Sequence, residues 1–291
     1  PKNIYTAGID PTIINFKKNY KNININIPDF FSKTKVKAKT NRKFKAITAL
    51  SVFYDIEKPN SFLKDVYDLL HDDGIFILEQ ADLSSIIKLK MFDTICHEHL
   101  EYYSHNVIIN LLKKNKLKLF NLKFNNINGG STQYYICKEK CSKYKIKSHK
   151  IKNILKVEKK LKLNQIITFA NFFKEIQKIK YNLNNFLKKI KHKGKIIHGY
   201  GASTKGNVLL QYFKINQNYI DCISDRNPKK NGLFTPNTKI KIVSETTSRN
   251  LKPDYYLVLP WHFKKEILSR ESKIRKEGTK FIFPLPKLSI H

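Results

Sequence analysis

Short apolar runs of β-compatible residues alternate with segments of helical periodicity along almost the whole chain, and this alternation limits the fold more than any other feature. It is satisfied by a largely parallel sheet with helices packed on it, an α/β fold. Strand-like runs occupy residues 5–9, 23–27, 44–52 and 75–78. The spacing predicts a helix over 60–70, with Phe62, Leu63, Val66, Leu69 and Leu70 on one side, closed by a turn at Asp73-Gly74. A further helix is expected over 107–115. Runs at 117–122 and 133–137 bracket Asn128-Gly129-Gly130-Ser131, so this pair is expected to be antiparallel. Residues 143–192 read as a Lys-rich helical connector. Phe169, Phe172, Ile176, Ile179, Leu183, Phe186 and Ile190 form one apolar stripe on it, expected to lie on its own domain rather than in a coiled coil. A second α/β unit then begins, with strands at 195–198, 220–224, 254–259 and 281–284, and a helix from the loop 199–207 through Phe213.

The chain has 291 residues, 41% of them hydrophobic, enough for two domains that each bury a core. No apolar run approaches the roughly 18 residues of a membrane span, so no membrane partner is expected. Residues 1–10 have no apolar signal region, which points to the cytoplasm. The chain starts without Met and enters a strand-like run at once, so it reads as lacking its N-terminal part. The formal net charge is +33, yet only five of the 56 basic residues are Arg, the usual reader of phosphates and bases. Lys, Asn and Ile, all with AT-rich codons, are used heavily. The charge therefore reads as compositional bias with a general preference for anionic small molecules, and no nucleic-acid partner is expected. Cys96, Cys137, Cys141 and Cys222 form no CxxC pair, so no zinc site is expected among them, and the set suits a reducing compartment.

Four segments could carry chemistry. Phe92-Asp93-Thr94-Ile95-Cys96-His97-Glu98-His99-Leu100-Glu101-Tyr102-Tyr103-Ser104 follows a strand and so falls at the carboxyl edge of the sheet, where ligands of open α/β sheets collect. Its imidazoles and carboxylates offer a base that works near neutral pH and groups to orient it. In an extended segment, His97 and His99 would share a face. A metal site and a structural polar cluster are the rival readings. Asp10, before Pro11, could accept from ribose hydroxyls or simply build a turn. In Gly199-Tyr200-Gly201-Ala202-Ser203-Thr204-Lys205-Gly206-Asn207, two glycines permit close backbone approach, the helix start offers N–H groups to an anion, and Lys205 could add a point charge. Thr204 stands where GxGxxG would have its third glycine. Pro260-Trp261-His262-Phe263 could stack on a base or sugar, or fill a core corner.

Taken in order, the segments FDTICHEHLEYYS, NGGS, GYGASTKGN and PDYYLVLPWHF resemble the S-adenosylmethionine-dependent sugar C-methyltransferases, from about Ala7 to Leu288. The resemblance implies methyl transfer to the carbon beside a keto group of a nucleoside-diphosphate-linked deoxysugar. It implies an incomplete Rossmann-type methyltransferase domain at 1–142, a helical connector at 143–192 and a Rossmann-like domain at 193–291. The family's zinc-binding domain, the first strand and its Gly-rich loop would precede Pro1, so zinc is expected only there. Asp10 and Ser51 would meet the cofactor. His99 would be the base, Glu98 would orient it or the sugar hydroxyls, and His97 or Tyr102 would lie near the enolate oxygen. Gly199, Tyr200, Gly201, Ala202, Ser203, Lys205, Gly206, Asn207, Trp261 and His262 would hold the nucleotide-sugar. Two positions depart from the family pattern: Cys96 stands where a Tyr is frequent, and Asp55 where a His is frequent. A monomer or weak dimer is expected. The rival functions are a non-catalytic nucleotide-sugar-binding fragment and a dinucleotide-dependent oxidoreductase.

Overall fold

The computed structural model describes residues 4–291. Against an expected division near residues 142 and 192, the chain packs as two discontinuous units. The first holds the residues up to Gln80, Tyr103–Phe124 and Thr132–Lys156; the second holds Ala81–Tyr102, Asn125–Ser131 and Val157–His291.

In the first unit, β1 (Ala7–Ile9) and β2 (Ile25–Ile27) form a two-stranded parallel sheet, with Ala7 opposite Ile25. The short helix α1 (Lys33–Lys37) starts at Ser32, whose side chain accepts from the Lys35 N–H. There follow β3 (Phe44–Leu50), α2 (Pro59–Leu69) and β4 (Leu70–Ala81), then α3 (Leu83–Leu89), which belongs to the second unit. Then come α4 (His105–Lys114), β5 (Leu117–Asn125) and β6 (Ser131–Lys138). The four-stranded sheet has the order β3-β4-β6-β5, and β3 runs parallel to β4. The Glu139 N–H donates to the Lys116 carbonyl at 2.9 Å, so the end of β6 lies beside the start of β5, as an antiparallel pair requires.

Asp73-Gly74 does not close α2 as expected. The helix stops at Leu69, and fully buried Leu70 already belongs to β4. Phe44 pairs with Leu70 and Ala46 with Ile75, so the extra residues around Gly74 bulge out of β4. A Cβ on Gly74 would lie 2.7 Å from Leu70 Cδ1, which explains a glycine inside a strand.

The expected connector is two helices, α5 (Ser148–Leu161) and α6 (Ile166–His192). Ile176, Ile179, Leu183, Leu187 and Ile190 of α6 are buried in the core of the second unit, with Phe172 and Phe186 packed against it. The stripe thus lies on its own unit. Beyond it come β7 (Ile197–Tyr200), α7 (Thr204–Phe213), β8 (Cys222–Asp225), β9 (Ile242–Ser244), α8 (Glu245–Asn250) and β10 (Tyr255–Val258). The chain ends with α9 (Lys264–Arg270), α10 (Ser272–Lys276), β11 (Lys280–Phe283) and β12 (Ser289–Ile290). The sheet order is β12-β11-β10-β7-β8-β9; all pairs are parallel except β11 with β12. From β7 the chain builds outward through β8 to β9, then returns to the other side of β7 as β10. Strand order reverses there, and such a point leaves a crevice at the carboxyl ends of the strands. Among the described residues, no helix is long and apolar enough to cross a membrane.

Candidate functional site

Four of the singled-out segments meet in the second unit. The 3-10 turn Phe92–Thr94 is buried along its whole length. Phe92 stacks on Phe213 of α7, centroids 4.8 Å apart, and lies 5.3 Å from Tyr212. Asp93 is 1% exposed; its Oδ2 accepts from Trp261 Nε1 at 2.8 Å and its Oδ1 has no hydrogen-bond partner. Burial pushes the Asp93 carboxyl up, against the pull of the Lys205 ammonium and the indole N–H. Lys205, in the first turn of α7, donates to the Asn128 carbonyl at 2.9 Å. Burial pushes Lys205 down, and the carboxylate of Asp93 opposes this. His262 has a buried Nδ1 without a partner, and burial lowers the ring to about 4. Gly129, at φ +94°, closes the knot. A Cβ there would lie 3.2 Å from Met91 Cε and 3.3 Å from His262 Cβ.

The His-Glu-His segment is a turn, which corrects the extended geometry considered from the sequence. The His99 N–H donates to the Cys96 carbonyl at 3.2 Å, so the chain folds back and the shared face of His97 and His99 does not form. His97 and Glu98 are exposed, while His99 and Tyr102 are half-buried, their rings edge to face at 6.5 Å. His99 Nδ1 lies 2.7 Å from the Thr94 carbonyl. A carbonyl only accepts, so Nδ1 carries the proton of the neutral ring and Nε2 is the basic nitrogen. Burial pushes the Cys96 thiol up, and Glu98 adds to the shift. Among the described residues, no group of three or more His, Cys, Asp or Glu is placed to hold a metal ion.

A cavity of about 340 Å³ opens at the carboxyl ends of β7 and β8, beside the start of α7. Tyr200, Gly201, Ala202 and Ser203 line it, together with Asp225 and Arg270. Gly201 has φ +82° and Ser203 caps α7, accepting from the Gly206 N–H at 3.0 Å. Asp225 Oδ2 accepts from the Ala202 N–H at 2.8 Å. Beneath lies Glu271, 3% exposed, which accepts from the Tyr200 hydroxyl, Arg249 and Arg270, each at 2.8 Å. Burial alone would raise Glu271, yet these donors hold it below the usual carboxylate range. Burial and Glu271 push the Tyr200 hydroxyl upward.

The expected substrate residues therefore separate. Tyr200, Gly201, Ala202 and Ser203 face this cavity, whereas Lys205, Trp261 and His262 belong to the buried knot. Gly199 and Gly206 serve packing, since a Cβ would lie 2.7 Å from Ile223 Cγ1 and 2.8 Å from Leu259 Cβ respectively. Asn207 is in the first turn of α7, its N–H donating to the Ser203 carbonyl at 3.0 Å. The sequence assigned no role to Asp93, Asp225 or Glu271. Asp93 lay within a quoted motif, and Asp225 is an acid at the end of the second strand of a βαβ unit, while Glu271 had no signal.

The first unit has its own cavity of about 710 Å³, lined by Asp10, Phe30, Phe31, Leu50, Val52 and Asp55 among others. Asp10 Oδ1 accepts from the Thr12 N–H at 2.7 Å and caps the turn Pro11–Ile14. Ser51 lies between two lining residues at φ +55°, its N–H donating to the Glu79 carbonyl at 2.7 Å.

Residues 126–286 match the family described as C-methyltransferase C-terminal domain. Over 235 residues, 81% of this chain and 56% of the relative, the sequence is 28% identical to the C-methyltransferase NovU of Streptomyces niveus. The chain thus spans little more than half the length of that relative. A solved S-adenosylmethionine-dependent methyltransferase from Clostridium acetobutylicum ATCC 824 is similar over 47% of this chain and 76% of its own, at 14% identity and a TM-score of 0.35. The plantazolicin methyltransferase BamL is similar over 48% of this chain and 70% of its own, at 13% identity and a TM-score of 0.36.

Proposed function

The chain belongs to the family defined by the C-methyltransferase C-terminal domain, and from that premise we propose that it transfers a methyl group from S-adenosylmethionine to carbon on a nucleoside-diphosphate-linked keto-deoxysugar. The bond between His99 Nδ1 and the Thr94 carbonyl carries the reading, because it makes Nε2 the basic nitrogen of the neutral ring. A hydrogen on the carbon beside a ketone is acidic enough for a positioned base, which typically contributes about 10²–10⁴-fold. In this reaction His99 Nε2 takes that proton and an enolate forms. Glu98 orients the sugar hydroxyls, and Tyr102 or His97 donates to the enolate oxygen.

S-adenosylmethionine, when bound, supplies an electrophilic methyl group. The first unit's cavity suits it chemically. The Asp10 carboxylate at the end of β1 can accept from ribose hydroxyls, and Phe30 and Phe31 offer aromatic walls to a base. Ser51 is the second residue assigned to the cofactor. For the sugar's nucleotide we assign the second unit's cavity, beside the start of α7, where Arg226, Lys230 and Arg270 in the lining favour a diphosphate.

Incubation with a nucleoside-diphosphate 4-keto-deoxysugar in deuterium oxide tests the base without a methyl donor. Mass spectrometry should read deuterium entering the carbon beside the ketone, and His99→Gln should slow this by about 10²-fold or more. Equal exchange in both proteins would remove His99 as the base. Failure of the sugar nucleotide to bind would remove the substrate class.

A further inference from the structure

We infer that Trp261 and Lys205 are positioning residues for His99, acting through the buried turn Phe92–Thr94; the inference rests on the proposed role of His99 as the base. The Thr94 carbonyl lies 2.7 Å from His99 Nδ1 and helps to aim the ring, with Thr94 Oγ1 at 3.4 Å from the same nitrogen. Where that carbonyl points decides which nitrogen bears the proton. The turn that sets it is three residues long, and its internal bonds are few: Thr94 N–H to the Met91 carbonyl at 3.2 Å and Ile95 N–H to the Phe92 carbonyl at 2.9 Å. So short a 3-10 turn does not hold its shape by itself.

It is held from outside, by groups distant in sequence. Trp261 Nε1 donates to Asp93, next to Thr94. Phe92 is wedged against Phe213 and Tyr212. Lys205 binds the Asn128 carbonyl, in the loop whose Gly129 lies against Met91. A buried carboxyl with one unpartnered oxygen is a poor way to gain stability, because removing it from water costs more than one neutral donor returns. What the indole N–H does give is direction: it fixes the orientation of Asp93, and with it the turn.

The test is the tautomer of His99 in the full chain, read from the ring nitrogens of 15N-histidine by NMR. His99→Gln assigns the signals by their loss. The wild type should show one species protonated at Nδ1. Trp261→Phe keeps the ring and removes the donor, and Lys205→Met removes the ammonium. Both should shift His99 toward the Nε2-protonated form that dominates in unconstrained histidine. Asp93→Asn still offers the indole an acceptor and should keep the wild-type pattern. Asp93→Leu relieves the buried carboxyl and should fold, yet show the shifted tautomer. Wild-type tautomers in Trp261→Phe and Asp93→Leu would overturn the inference. This outcome is separate from the deuterium exchange that tests His99 as base.

Discussion

At Gly206, a methyl group would lie 2.8 Å from Leu259 Cβ and 3.0 Å from its Cδ1. In dinucleotide-binding turns the third glycine permits that close approach of helix to strand. Here Thr204 takes the expected position and the approach moves two residues along α7. Gly206→Ala should therefore destabilise by about 1–3 kcal/mol through overpacking, despite roughly 1 kcal/mol of improved helix propensity. Denaturant unfolding would check this, and a more stable variant would mean that α7 can back away from Leu259. Side-chain depth was the part of the site the sequence hid. Lys205 was legible as a cation after a Gly-rich loop, but its bond to the Asn128 carbonyl depends on a fold that no spacing announces. Asp93 stood within a recognised motif, yet its partner Trp261 is 168 residues away.

Helix α6 was legible because a period of three to four needs no tertiary knowledge. Its two faces should respond differently. Leu183 is fully buried in the second unit's core, so Leu183→Ala should cost about 2–5 kcal/mol. Ile166, 84% exposed at the start of the same helix, should tolerate Ser within about 0.5 kcal/mol. Thermal or denaturant unfolding of the two variants separates them; equal losses would mean that the apolar stripe does not anchor the helix. Elements without a long period were harder to read. β9 and β12 have three and two residues, too few to alternate. Around Gly74, a turn signature concealed a bulge, because Asp-Gly marks a reversal only when the flanking residues do not continue a strand.

For the whole molecule, acid should weaken the second unit through two histidines. Burial lowers His198, whose Nδ1 pairs with Ser248 Oγ at 2.8 Å on β7, and lowers His262 to about 4. Both begin from an ordinary value of 6.5. Above that pH neither binds a proton in either state, and stability is full. Below it the unfolded chain takes up protons that the folded chain refuses, so stability falls by up to about 1.4 kcal/mol per pH unit for each group. For His262 the fall continues to about pH 4. Asp93, raised by burial, works in the opposite sense and dilutes the slope. Unfolding measured between about pH 7.5 and 4.5 should show the loss, and His262→Gln should flatten it. An unchanged slope in that variant would assign the loss elsewhere.

The interleaving of the two units has a consequence in time. Residues 81–102 belong with partners near the end of the chain. A ribosome adding about 5–20 residues per second makes Trp261 roughly 8–30 s after Asp93. Throughout that interval the nascent Phe92–Thr94 turn waits without its indole donor, so the segment that holds the proposed base is among the last parts of the protein to take shape.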